Sequence, residues 1–347
     1  MVAATRKFRR PNGRRRIVIA LIVALFAIPV LAACGSSSSG KPAAAAGSAT
    51  DLANVTLRVG DQNGTGLKAL LTASGQLRDL PYAITWSTFT SGPPMMQALG
   101  AGAIDLGGVG DSPPIFAAAS GTKIKLVAAY RSGPNASAIL VPKGSDVTSV
   151  AQLKGKTVAV AKGSSANYHL LAAIGKAGLK ITDLSPAYLQ PAPALAALQA
   201  GRVDAWAVWE PYITTAKSLD GARVLANGAG TATGLSFQVA SAKALTDPGR
   251  AAAIKDLIQR ATRAREWALR NNDAWGAAWS KTIKVSPAVA TASTKNQDVT
   301  PIPLDAKVIA TEQAAADAFV AAGQIPAEVD ISALVDTRFN AAVRAAG

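Results

Sequence analysis

The sequence predicts an α/β protein of two lobes, each a mostly parallel sheet flanked by helices. Three observations predict it. The first is an internal repeat: Ala98-Leu99-Gly100-Ala101-Gly102-Ala103-Ile104-Asp105 resembles Ala197-Leu198-Gln199-Ala200-Gly201-Arg202-Val203-Asp204 at an offset of 99 residues. The same offset pairs Gly64-Thr65 with Gly163-Ser164, Phe89 with Tyr188, Pro94 with Pro193, Val109 with Val208 and Asp111 with Glu210. The second is that strand-like and helix-like patterns alternate inside each copy, which implies sheets covered by helices on both faces. The third is that the pattern turns helical from about Asp247 onward.

The elements follow in order. Val55 to Gly60 reads as a strand, and Leu67 to Gly75 as a helix ending at a glycine. Tyr82 to Phe89 alternates Ile84, Trp86 and Thr88 with Ala83, Thr85 and Ser87, a period of two. Pro94 suits the first turn of a helix, where its missing N–H costs nothing, and Gly100 and Gly102 close that helix. Ile104 to Val109 is a short apolar strand. The second copy runs Thr157 to Ala161, Tyr168 to Ala177, Ala187 to Gln190, Ala194 to Ala200 and Val203 to Val208. Beyond it, Ile254, Leu257, Ile258, Ala261 and Arg265 keep helical spacing, and Trp267, Trp275 and Trp279 read as anchors between packed helices.

The N-terminus has a different character. Seven cations (Arg6, Lys7, Arg9, Arg10, Arg14, Arg15, Arg16) and no acid precede the apolar run Ile17 to Val30, which is too short to span a bilayer. Leu31-Ala32-Ala33-Cys34-Gly35 follows, the order of a bacterial lipoprotein signal in which Cys34 becomes the lipidated first residue. Gly35 to Thr50 is rich in Ser, Gly and Ala and reads as a flexible tether. Cys34 is the sole cysteine, so no intrachain disulfide can form. Taking the seven signal cations from the formal charge of +15 leaves +8, scattered and without aromatic interleaving, which argues against nucleic-acid binding.

Ligands of open α/β sheets sit beyond the C-terminal ends of the strands, where helices begin. Four such loops are rich in small polar residues: Gln62-Asn63-Gly64-Thr65, Ser91-Gly92-Pro93, Asp111-Ser112-Pro113 and Gly163-Ser164-Ser165-Ala166-Asn167. Glycines permit close backbone approach, and helix N-termini favour an anion. Two lobes facing each other would converge several such termini on one oxyanion, without needing an arginine. Each loop taken singly is also what helix capping alone requires. Glu210 holds the position of Asp111 and either meets an amine on the ligand or caps its helix, while Trp209 beside it is expected to wall the cleft. Chemistry other than binding finds little support. His169 is the lone histidine, no His/Cys cluster can hold a metal, no cofactor motif is present, and there is neither a Walker loop nor a Gly-x-Gly-x-x-Gly after a strand.

The chain resembles the aliphatic-sulfonate-binding proteins of ABC importers, which are related to the taurine, nitrate and thiamine-precursor binders. The resemblance spans Leu57 to about Ile331. It is carried by Ile104-Asp105-Leu106-Gly107, by Gly110 to Ala117, by Leu153-Lys154-Gly155-Lys156, by Lys162 to Ser165 and by Val203 to Tyr212. Glu210 stands where that branch usually has Asp, and Asn167 also departs from its familiar sequences. The resemblance implies a type II periplasmic-binding-protein-like fold with a hinged cleft and no enzymatic activity. Residues 1–33 would be the signal peptide, 34–54 the tether, 55–137 and 238–347 the first lobe, and 138–237 the second. The crossings between lobes would fall near Ala138–Pro142 and Ser236–Ala240. It implies an extracytoplasmic, monomeric lipoprotein that delivers its ligand to a permease and an ATPase for sulfur uptake. Thr65, Ser91, Gly92, Ser112, Ser164 and Ser165 would surround the sulfonate, with Gly92, Ser112, Ser164 and Ser165 donating hydrogen bonds and Trp209 contacting the alkyl chain. Nitrate, taurine or a pyrimidine precursor are the alternative ligands, and an enzyme on this fold the alternative class.

Overall fold

The computed structural model describes residues 51–62 and 66–344. The expectations for the signal segment, Cys34, most of the tether, Gly64 and Thr65 lie outside the described residues.

Among the described residues eleven strands form two sheets. They are β1 (Thr56–Gln62), β2 (Ala83–Phe89), β3 (Leu106–Gly110), β4 (Ile124–Arg131), β5 (Ser137–Val141), β6 (Thr157–Val160), β7 (Ser185–Tyr188), β8 (Ala205–Trp209), β9 (Arg223–Asn227), β10 (Leu235–Ser241) and β11 (Thr300–Ile302). The first sheet has the order β11-β4-β10-β3-β1-β2 and the second β7-β6-β8-β5-β9. β1 pairs in parallel with β2 and β3, and β6 in parallel with β7 and β8. The return strand in each sheet is antiparallel to both neighbours: β10 between β3 and β4, and β5 between β8 and β9. Each inserted strand is the first one the chain makes after passing from the other sheet. The fold is therefore α/β and two-lobed, with mixed sheets.

The repeat is visible in space. Offsetting β3 by 99 residues gives β8, and offsetting the helix Gly92–Gly100 gives the helix Pro191–Gln199. The helices Leu67–Ala73 and Ser112–Ala119 likewise correspond to Ser165–Lys176 and Tyr212–Asp220. A carboxylate does the same work in both copies. Asp105 accepts a hydrogen bond from the N–H of Arg58 (3.0 Å), and Asp204 accepts one from the N–H of Thr157 (2.8 Å).

The central strands of each sheet are buried on both faces, so they alternate between two clusters rather than between core and water. In β5, Ile139 and Val141 pack on one side while Ala138 and Leu140 pack on the other. In β8, Trp206 and Val208 oppose Ala205 and Ala207 in the same way. In the first lobe, Leu57, Val59 and Leu70 join Ile254, Leu257, Trp275 and Trp279, and the opposite face gathers Met95, Leu99 and Phe237. The long helix Pro248–Arg270 starts at Asp247, whose carboxylate accepts from the N–H of Arg250 (2.9 Å), with Pro248 in the first turn. Trp275 and Trp279 are buried and stack at 5.5 Å, as anchors of the helical region.

The segments expected to carry the crossings fall inside β5 and β10. The chain leaves the first sheet after Arg131, enters the second at Ser137, and returns between Asn227 and Leu235. The two crossings run side by side: Ser132 N–H donates to Gly234 O (2.8 Å) and Gly228 N–H to Pro134 O (2.8 Å). Gly234 lies at φ +69, and a Cβ there would stand 2.8 Å from Ser132 O, so both conformation and spacing call for glycine. Among the described residues no helix is long and apolar enough to cross a membrane.

Candidate functional site

A cavity of about 300 Å³ lies between the sheets, at the C-terminal ends of β1, β3 and β8 and against both crossings. Of the residues singled out from sequence, Gln62, Gly92, Asp111, Ser164, Ser165, Trp209 and Glu210 line it. Ser91, Ser112, Gly163 and Asn167 lie behind its wall. The reason is local hydrogen bonding. Ser112 is fully buried and its hydroxyl donates to Asp111 Oδ1 (2.8 Å). The Ser91 hydroxyl donates to Gln190 Oε1 (2.8 Å). Asn167 Oδ1 accepts from Gly163 N–H (2.9 Å), which tightens the loop that presents Ser164 and Ser165. Gly163 at φ +72 packs against Phe116.

The acids at the ends of the two central strands play matched parts. Asp111 caps the helix Ser112–Ala119 and also accepts from the Thr233 hydroxyl on the returning crossing. Glu210 accepts from Thr214 N–H (3.1 Å) and Thr214 Oγ1 (2.8 Å), which caps the helix Tyr212–Asp220. Its Oε1 also accepts from Asn296 Nδ2 (2.7 Å), on the helix Pro287–Gln297 of the C-terminal region. Burial pushes the Glu210 carboxyl above its ordinary pKa, against the pull of Asn296 and Thr214. Glu210 therefore caps a helix while lining the cavity. Trp209 meets Tyr212 edge-on at 5.9 Å and offers an apolar wall, whereas Trp206 is core.

Sequence reasoning missed Arg265. It is the one cation among the described residues that line the cavity. It continues the buried stripe of the long helix (Ile254, Leu257, Ile258, Ala261) and emerges where that stripe meets the cleft. Its guanidinium lies 5.9 Å from the centroid of the Tyr130 ring. Burial lowers its pKa, while Tyr130 and Asp61 act the other way. Among the described residues no carboxylate forms an ion pair with it. A cation so placed retains donors for an incoming anion. The helical spacing was the available signal, since a cation at a core-facing position of an amphipathic helix needs a partner.

The lobes meet closely across this cavity. A Cβ on Gly110, at the end of β3, would stand 1.9 Å from Ser165 Oγ of the second lobe. His169, one turn into the same helix as Ser165, is buried with Nδ1 2.9 Å from Thr231 Oγ1 on the returning crossing. Burial drops its pKa to about 4. No group of three or more His, Cys, Asp or Glu side chains among the described residues could hold a metal ion.

Two α/β lobes of one topology, joined by paired crossings, with a polar cavity at the strand ends of both, define a bilobed solute-binding protein. Comparison with known proteins agrees. Residues 78–268 match the family model described as ABC transporter, phosphonate, periplasmic substrate-binding protein. The chain is 39% identical over 279 residues to a putative aliphatic sulfonates-binding protein of Escherichia coli (strain K12), covering 79% of this chain and 86% of that one. It is 34% identical over 215 residues to a protein of the same description in Bacillus subtilis (strain 168), covering 61% and 62%. Its structure matches the alkanesulfonate-binding protein SsuA from Xanthomonas axonopodis pv. citri bound to MOPS, with TM-score 0.76 and 36% identity over 81% of this chain and 98% of that one. The chain belongs to the family of periplasmic substrate-binding proteins of ABC transporters. Membership implies an extracytoplasmic role, a small-molecule ligand, and a permease and ATPase as partners.

Proposed function

We propose that this protein captures an aliphatic sulfonate in the cavity between its lobes and delivers it to its permease for sulfur uptake. The observation that carries this reading is Arg265, a partly buried cation facing a cavity whose wall also carries helix N-termini, glycines, hydroxyls and the helix-capping carboxylates Asp111 and Glu210. A sulfonate carries one negative charge and three acceptor oxygens. Arg265 meets the charge, while the N-terminal turns at Gly92 and at Ser164-Ser165 supply donors to the oxygens. Trp209 supplies the apolar wall for the carbon chain. The names of the relatives point to the same ligand class.

Capture proceeds by hinge closure about residues 132–136 and 228–234, which carry the backbone between the sheets from β4 to β5 and from β9 to β10. The protein works as a monomer, tethered to the outer face of the cytoplasmic membrane through lipid on Cys34, with residues 35–50 as the leash. It binds and releases without chemistry. A second reading, taurine, draws on Asp111 and Glu210 on the same wall, whose carboxylates suit an ammonium group. Glu210→Gln then loses taurine and keeps ethanesulfonate.

A thermal-shift screen of C1 to C8 alkanesulfonates, taurine, nitrate and sulfate tests the reading. Ligand at 100 times its dissociation constant stabilises by about 2.7 kcal/mol. The expected result is a shift with alkanesulfonates and little with nitrate or sulfate. A shift with nitrate alone would replace the ligand class.

A further inference from the structure

Two residues at equivalent positions of the repeat meet across the cleft. Ser91 and Gln190, 99 positions apart, each stand at the N-cap of the second helix of their copy, Gly92–Gly100 and Pro191–Gln199. Serine is a preferred N-cap residue because its oxygen accepts from the first-turn N–H groups. Here neither side chain caps its own helix. Both helices carry proline in the first turn, which removes a donor that a cap would have satisfied. The side chains are thereby released toward each other. The Ser91 hydroxyl donates to Gln190 Oε1 (2.8 Å), and the Thr90 hydroxyl donates to the same oxygen (3.2 Å).

We propose that Gln190 is a positioning residue for ligand capture: it latches the lobes shut by accepting from Ser91 and Thr90, without touching the ligand. The placement gives the latch leverage. Gly92, the next residue after Ser91, lines the cavity, and a Cβ on it would stand 2.4 Å from Pro113 Cγ, so the start of this helix is wedged against the start of the next. Ser91 is fully buried, which keeps water from competing for the bond. Gln190 and Ser91 are not on the cavity wall. Because these bonds connect the two lobes, separating the lobes breaks them, so their loss acts on the lifetime of the closed complex more than on ligand entry.

The inference rests on capture by closure and is tested with 1-propanesulfonate by stopped-flow fluorescence on the full chain. Gln190→Met keeps the length of the side chain and removes the acceptor. It should raise the dissociation rate about tenfold, the loss of one to two hydrogen bonds, with association changed less than about twofold. Adding Thr90→Val and Ser91→Ala to Gln190→Met should change nothing further. An unchanged dissociation rate, or effects that add, overturns the latch. Should the wild-type protein not bind propanesulfonate, the ligand class is wrong and the latch is read alone. Spin-label distances between positions 123 and 180 in a Cys34→Ser background should then lengthen in Gln190→Met, and identical distributions overturn it.

Discussion

The two halves of the repeat share a topology but differ in how they hold their carboxylates. In the first, Asp105 is 1% exposed and is gripped by Arg58 through Nε (3.0 Å) and Nη2 (2.6 Å), with Arg250 at 3.8 Å. Burial works against its charge, yet the bonds from Arg58 hold its pKa below the ordinary value. In the second, Asp204 is 41% exposed, and Lys156, at 3.7 Å, is its one cationic partner among the described residues. Both accept from the N–H of the adjacent strand, so the backbone bond belongs to the architecture and the ion pair is an addition. The same division holds at the cleft. Asp111 and Glu210 both cap the next helix, but the longer Glu210 also reaches Asn296. Bonds common to both halves build the fold, and bonds present in one half tune it.

The comparison can be broken in order of expected effect. Asp105→Ala should cost about 3–5 kcal/mol in urea unfolding, because it strips a buried charge network, while Asp204→Ala should cost about 1 kcal/mol for its backbone bond. Equal costs would erase the distinction. Next is His169, whose counterpart in the first half is the core residue Leu70. Its folded pKa of about 4 lies below the unfolded value, so its contribution is full above about pH 6.5 and is lost as pH falls toward 4, by about 3 kcal/mol. His169→Leu should flatten this acid limb in melting curves between pH 7 and 4.5. Glu210→Asp, which makes the second half like the first, should lose the bond to Asn296 and cost about 1 kcal/mol. Lys156→Ala, at an exposed pair, should cost less than about 0.5 kcal/mol in the same assay.

The repeat, the alternation of strands and helices and the helical C-terminal region were legible because apolar period and glycine–proline punctuation are local signals. The insertion of β10 between β3 and β4 and of β5 between β8 and β9 was not, since pairing between distant segments leaves no period in the sequence. The crossings were displaced for a related reason. Ile139-Leu140-Val141 marks a strand, while the true turn signals, Gly133-Pro134 and the glycines of 228–234, lie just outside it. At the site, loops were found from composition, but which hydroxyls face the cavity depends on hydrogen bonds such as Ser91 to Gln190 that join residues 99 apart. Arg265 sat in plain helical register, and only the packing of its helix against the cleft shows what it faces.

The most direct measurement is titration calorimetry of 1-propanesulfonate into the wild-type protein and into Arg265→Met. The account predicts saturable binding at one site and a loss of about 10- to 100-fold in the variant, the worth of a hydrogen-bonded charge in a partly buried site. Equal affinity in both proteins, or no heat from the wild type with any alkanesulfonate, would contradict it.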